Sequence, residues 1–367
     1  MAFWRVLRHW ITRYFAEDEA ATLGVLLVLG CTVVVLFGSM LAPFFTALVL
    51  AFLLQGGVSR LERWHVPRLA AVLIVFLSFL GVFLALLLVV LPLVWDQLVT
   101  LLQESPRMFA QAQVLLDELQ ERYPKIVTPE QIQSWMGTVG NELTTLAQRA
   151  LRLSLSSLGN LIGFVTFLVL VPILVFFMLK DKDVLVNFFL SLLPSKRTLM
   201  SHIWREVDDQ IANYVRGKVI EIVIVAVVSY VTFYALSLPY ATLLALVVGL
   251  SVLIPFIGAA AATVPVAAVA GFTFGLSESF FYVIAAYAII QALDGNVLSP
   301  LLFSGVVNLH PVAIILAILF FGGVWGFWGI FFAIPLATLL KALWRAWPRS
   351  DPAAISNTHE GTTQEGL

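Results

Sequence analysis

Apolar residues run along this chain in stretches far longer than one buried helix or strand requires. Residues 20–59, 69–95, 153–179, 222–277 and 279–340 contain no Lys, Arg or Glu, and Asp294 is their only Asp. Each stretch exceeds the roughly 20 residues that carry an α-helix across about 30 Å of hydrocarbon. The pattern predicts an all-α, polytopic integral membrane protein. As a single helix the 20–59 stretch would measure roughly 60 Å, at about 1.5 Å per residue. It is therefore expected to fold back on itself, at GSMLAP (38–43), where Gly38 and Pro43 interrupt the run.

Between the apolar runs the pattern becomes amphipathic. Leu98, Leu101, Leu102, Phe109, Ala112, Leu116 and Leu119 recur at helical spacing, and so do Ile132, Trp135, Val139, Leu143 and Leu146 after a TPEQ capping signal at 128–131. The expected organisation starts with a basic, aromatic interfacial helix over 1–19, followed by a transmembrane hairpin plus third span over 20–95. An extramembrane helical module over 96–152 and a fourth span over 153–179 come next. A basic cytoplasmic loop with interfacial helices over 180–218 leads into a transmembrane region with broken helices over 219–345 and a disordered tail over 346–367. About eight spans result, with some broken or re-entrant segments in the second half.

Charge orients this picture. Arg5, Arg8 and Arg13 precede the first hairpin and Arg60, Arg63 and Arg68 follow it, while Lys180, Lys182, Lys196, Arg197, Arg205, Arg216 and Lys218 fill the 180–218 loop. Positive residues mark the cytoplasmic side, so both termini are expected there. Charged residues make up 12% of the chain, against about 25% in soluble domains. The net charge of −1 gives no reason to expect a nucleic-acid partner. A single cysteine, Cys31, excludes an intramolecular disulfide.

Enzyme signatures are absent. Gly217-Lys218 lacks the upstream glycine of a phosphate-binding loop, because Ala212 holds that position. The five histidines are scattered, so neither a metal site nor a cofactor site can be drawn.

The second half carries punctuation instead. LIPFIGAAAATVP places Pro255, Gly258 and Pro265 in one apolar run, and proline removes a backbone donor and clashes with the preceding turn. Freed backbone groups are costly in hydrocarbon unless protein or water satisfies them, so a discontinuous helix lining a path and a plain proline kink both remain open. In QALDGNVLSP, Asp-Gly and Gly-Asn are turn signals that should end a helical segment at Asp294. The turn is either interfacial or an intramembrane carboxylate beside Gln291 and Asn296, able to hold a cation or a proton. In NLHP, Pro311 suits a first helical position with His310 or Asn308 as cap; a titrating His310 is the other reading. FGGVWGFWG (321–329) reads as close helix packing or a ligand site, and Glu278, at a span end, and Glu221, one turn from Lys218, as solvated or snorkelling side chains.

Taken together, LIPFIGAAAATVP, QALDGNVLSPLLFSGVVNLHP and FGGVWGFWGIFFAIPLATLLKAL, with VPILVFFMLKDKD (171–183) and NYVRGKVIE (213–221) upstream, resemble the autoinducer-2 exporter family. The resemblance covers nearly the whole chain, and region 96–152 is its least diagnostic part. It implies a secondary transporter of about eight spans and a homo-oligomer, with a pentamer and an elevator-like motion as suggested arrangements. Some members are associated with autoinducer-2 export, others with sodium or lithium efflux in exchange for protons. Mapped residue by residue, the family's motifs fall on Pro255, Gly258 and Pro265, on Gln291, Asp294, Gly295, Asn296 and Pro300, and on His310 and Pro311. The function expected is a gradient-driven permease or exporter of a small polar solute or a cation. A non-transporting scaffold docking an envelope partner and a passive channel are the alternatives.

Overall fold

The computed structural model describes residues 18–38, 40–122, 145, 157–191, 198–255, 257–303 and 309–346. Residues 1–17 of the helix expected over 1–19, most of the helix expected after Thr128, Asn308, and the tail beyond Ala346 lie outside the described residues. Those described are helical, with no strand among them. In chain order they form α1 (Asp18–Phe37), α2 (Ala42–Arg63), α3 (Arg68–Ala85), a π-helical turn π1 (Leu86–Val90), α4 (Leu91–Arg122), α5 (Ser157–Lys180) and α6 (Lys182–Ser191). Then follow α7 (Thr198–Ala235), α8 (Ala241–Ser251), α9 (Ile257–Phe274), α10 (Glu278–Leu293), a second π-helical turn π2 (Asp294–Leu298), α11 (Ser299–Phe303) and α12 (Pro311–Ala346).

Among the described residues, 7 helices are long and apolar enough to cross a membrane; α8 and the described part of α1 are shorter apolar helices beside them. The protein is thus an all-α, polytopic membrane protein. Helices continue across two places where the hydrophobic pattern changes or breaks. α3, π1 and α4 run on from Arg68 to Arg122 without a break, so the helix of the second apolar run (69–95) continues as the first helix of the amphipathic region. α10, π2 and α11 likewise form one candidate span, Glu278–Phe303, so the chain does not leave its helix at Asp294.

The chain divides into two compact units. The larger comprises Thr46–Lys180 and Val215–Ser304. Its apolar centre is built from Val225 and Phe233 of α7, Leu244, Ala245 and Val248 of α8, Ala262, Val266 and Ala270 of α9, and Val283, Tyr287 and Ile290 of α10. Ala245, Ala262 and Ala270 are its small members, and small residues let helices approach closely where lipid offers no hydrophobic drive to associate. A second centre joins Ala47, Ala51 and Val58 of α2 to Ala71 and Val72 of α3 and Val171, Val175 and Leu179 of α5.

The other unit comprises the flanking pieces Met1–Phe45, Asp181–Tyr214 and Gly305–Leu367. Within it α12 bends sharply at Gly326, whose φ of 58° and ψ of −133° suit glycine alone. The bend folds the chain onto itself: a Cβ on Gly329 would fall 1.8 Å from the carbonyl oxygen of Phe321, eight residues earlier. An uninterrupted helix keeps such residues about 12 Å apart. The FGGVWGFWG glycines therefore serve a reversal within one helix, around which Trp325, Trp328 and Phe332 stack and Phe45 packs edge-on against Trp325 at 4.8 Å. At the start of α12 the His310 Nδ1 accepts from the N–H of Val312 at 3.3 Å, with Pro311 as the first helical residue.

Candidate functional site

Two interruptions in the larger unit converge on one pair of charged side chains. The first is the stop at the end of α8. Pro255 has no N–H to give the carbonyl of Ser251, so the helix tightens into short turns, with Leu253 N–H on Leu250 and Ile254 N–H on Ser251, both at 3.1 Å. The chain then turns back so closely that a Cβ on Gly258 would lie 1.7 Å from the Ser251 oxygen. Only glycine fits there. Pro265, expected to be a third breaker, lies inside an unbroken α9, which tolerates it by leaving one backbone acceptor without its helical donor.

The second interruption is π2. The Ser299 N–H reaches back five residues to the carbonyl of Asp294 instead of four. Pro300, next in sequence, has no N–H for the carbonyl of Asn296, and widening the turn accommodates its ring. DGN therefore distorts a helix where turn chemistry would have ended it. Gly295 and Pro300 face outward, and Asn296 is spent on its own helix, its Nδ2 donating to the carbonyl of Ala292 at 2.8 Å.

Between these interruptions stand Lys218 and Glu221 of α7. They are 4% and 2% exposed, which overturns the reading of Glu221 as a solvated or snorkelling group. Lys218 Nζ donates to Glu221 Oε2 at 2.5 Å and to the carbonyl of Val252, at the α8 stop, at 2.8 Å. Ser299 Oγ, at the exit of π2, donates to Glu221 Oε1 at 2.6 Å. The Phe303 ring lies 5.2 Å from Lys218 Nζ, and its edge fills the space a Cβ on Gly217 would need. Lys218 lies eight residues into the Gln210–Ala235 span, about 12 Å along the helix. Three segments thus meet on one buried ion pair, and taking away either partner alone would leave an uncompensated charge.

Asp294 lies beside this pair, and its carboxyl interacts with both Glu221 and Lys218. Its Oδ1 is buried without a hydrogen-bond partner, as is Nε2 of Gln291, one turn earlier. Tyr287, a further turn back on α10, donates its hydroxyl to the carbonyl of Ala259 at 2.8 Å, with Thr263 Oγ1 3.3 Å away. The structure therefore brings Asp294 and Gln291 to the same place as the break containing Pro255 and Gly258. It leaves Gly295, Asn296 and Pro300 on the outer side of π2, and His310 and Pro311 belong to the other unit. Among the described residues no group of three His, Cys, Asp or Glu side chains suits a metal ion.

A second polar contact fixes the other end of α8. The N–H of Leu243 donates to Gln97 Oε1 at 2.8 Å, and the Tyr240 hydroxyl donates to Glu104 Oε2 at 2.7 Å. Both acceptors project from α4. The turn they hold has Ser237 and Tyr240 in left-handed backbone (φ 54° and 58°), unusual for residues with a Cβ. Burial, then the hydrogen bond and charge of Glu104, push the Tyr240 phenol from its usual 10.0 up to about 12.

Lys218 and Glu221 are the residues that sequence reasoning missed. A signal existed in their i, i+3 spacing and in the NYVRGKVIE motif, but nothing there distinguishes a buried pair from one at a headgroup.

The chain matches the family described as AI-2E family transporter over residues 23–349. It is 43% identical over 343 residues to the candidate permease PerM of Escherichia coli (strain K12), covering 94% of this chain and 97% of that one. It is 29% identical over 314 residues to the candidate transport protein YueF of Bacillus subtilis (strain 168), covering 84% of each. It is also 27% identical over 325 residues to the AI-2 transport protein TqsA of Escherichia coli (strain K12), covering 87% of this chain and 91% of that one.

Proposed function

This chain belongs to the AI-2E transporter family, and on that footing we propose that it is an inner-membrane permease that moves a small polar solute or a cation outward by gradient-driven alternating access. The observation that carries this reading is the meeting of the α8 stop and π2 at the Lys218–Glu221 pair, with unpaired polar atoms of Gln291 and Asp294 beside it. Discontinuous helices whose freed backbone groups face one polar site are the means by which other secondary transporters bind solutes. No nucleotide-binding loop occurs in the sequence, so the energy comes from an ion gradient or a partner rather than from this chain as an enzyme. Both termini lie on the cytoplasmic side in this reading, and copies of the chain assemble as a homo-oligomer.

The test is flux in reconstituted vesicles with imposed proton and sodium gradients, run on a panel of small polar solutes and alkali cations for the native chain and Asp294→Asn. Gradient-dependent flux that Asp294→Asn reduces supports the reading. Equal, gradient-independent rates in both proteins remove Asp294 from the mechanism, and absence of flux for every solute favours a scaffold.

A further inference from the structure

α8 is fastened at both ends by side chains of other helices. Tyr240 stands at its N-cap in left-handed backbone and offers no side-chain cap. Gln97 of α4 supplies one instead, accepting the N–H of Leu243 at 2.8 Å. One and two turns further along the same face of α4, Leu101 packs into the core that α8 helps to build and Glu104 accepts the Tyr240 hydroxyl. At the other end the Val252 carbonyl takes the Lys218 ammonium. A donor and an acceptor left over at the helix termini, which the flanking residues often satisfy, are here handed to α4 and α7.

Between these grips Gly249 brings α8 so close to α7 that a Cβ there would lie 2.6 Å from that of Ala226. Leu243 lies roughly 9 Å before this contact along the helix and Val252 roughly 4.5 Å after it. Rocking about Gly249 would therefore carry a shift at Leu243 to Val252 at about half its size. α4 itself continues past the grip. Pro106 cannot serve the carbonyl of Leu102, the Ser105 hydroxyl donates to it at 2.8 Å instead, and the helix runs on to Arg122. We propose that α8 is a strut tying α4 to the Lys218–Glu221 site, with Gln97 and Glu104 as positioning residues. Their grip on one end of α8 sets where Val252, at the other end, meets Lys218. The contacts carry this by themselves; that the coupling serves flux rests on the transport reading above. In that use the amphipathic region, which α4 enters, acts on the site without touching it.

The experiment is hydrogen–deuterium exchange with mass spectrometry on the full-length protein in detergent micelles, read at both ends of α8. In Gln97→Leu, exchange should rise at Leu243, where the acceptor is lost. It should also rise at Leu253, Ile254 and Gly258, beyond the far end, by about fivefold, the weight of one hydrogen bond. Peptides over Ala47–Val58 and Val171–Leu179, in the separate core of α2 and α5, should stay native and report that the fold is intact. Glu104→Leu should behave like Gln97→Leu. Glu104→Gln, which keeps an acceptor for the Tyr240 hydroxyl, and Thr100→Ala, on the exposed side of α4, should exchange like the native chain. Coupling is reciprocal, so Lys218→Met/Glu221→Leu, which releases Val252 with the pair's charges removed together, should raise exchange at Leu243. A rise confined to the α8 end nearest α4, a rise shared by the reference peptides, or no rise at either end overturns the proposal. The readout needs no solute, so the strut can fail while flux is intact, and flux can be absent while the strut holds.

Discussion

Lys218 donates to the carbonyl of Val252, 34 residues further along the chain, at 2.8 Å. The end of α8 is therefore capped by an ammonium from inside a neighbouring helix. A cation at a helix C-terminus is favoured by the helix dipole, and here the same cation also neutralises Glu221. One side chain joins the ion pair to the backbone break.

This arrangement predicts strongly non-additive mutations. Lys218→Met or Glu221→Leu alone leaves one charge buried without its partner and should destabilise the protein by about 3–5 kcal/mol, whereas replacing both together should restore much of that loss. Thermal unfolding of the purified protein in detergent, compared across the four-member cycle, measures the coupling. Additive losses would show that the pair is not the unit described.

Gly258→Ala and Gly295→Ala should behave oppositely. A methyl group at 258 meets the Ser251 oxygen, a backbone atom that cannot swing aside, while at 295 nothing lies within 4 Å. The first variant should express poorly or lose several degrees of thermal stability, and the second should unfold like the native chain. Fluorescence-detected size exclusion after graded heating distinguishes them.

Gly326→Ala should cost about 1–3 kcal/mol, the strain of forcing a residue with a Cβ into a backbone conformation reserved for glycine. Gly323→Ala, where nothing lies within 4 Å and φ is ordinary, is the matched control. Equal melting temperatures for the two would contradict the bend.

The Tyr240–Glu104 bond predicts a pH dependence confined to alkaline conditions. Because the phenol is raised in the folded protein from 10.0 to about 12, its contribution to stability is fully present below about pH 10 and is lost as pH rises through about 12. Tyr240→Phe should remove that alkaline component from the stability profile and leave the neutral range nearly flat. A profile identical to that of the native chain would count against the contact.

Much of the fold is legible from hydrophobic runs, because a membrane span leaves little choice of pattern. The chain turns between Phe37 and Ala42, at the stretch where Gly38 and Pro43 interrupt the first run, and α12 begins at Pro311. Local chemistry also marks the stop near Pro255 and Gly258, where a missing donor and a missing Cβ act within a few residues of each other. Signals that depend on distant partners are not legible in this way. Pro265 has the same breaking potential as Pro255, yet α9 continues through it. Asp294-Gly295-Asn296 has the composition of a turn, but Pro300, downstream, gives it a π turn instead. Lys218 and Glu221 are hidden for a related reason: their partners, Val252 and Ser299, lie 34 and 78 residues away.

The π turn at Asp294–Leu298 acts as a phase shift along its helix. One residue beyond the ordinary count rotates everything downstream by roughly 100°, and Ser299 and Phe303 point at α7 with that offset built in. Shortening the segment by a single residue would aim both side chains elsewhere, even though every neighbouring amino acid kept its identity. In this stretch the number of residues between Gln291 and Phe303 is as much a part of the site as the carboxylate that first drew attention to it.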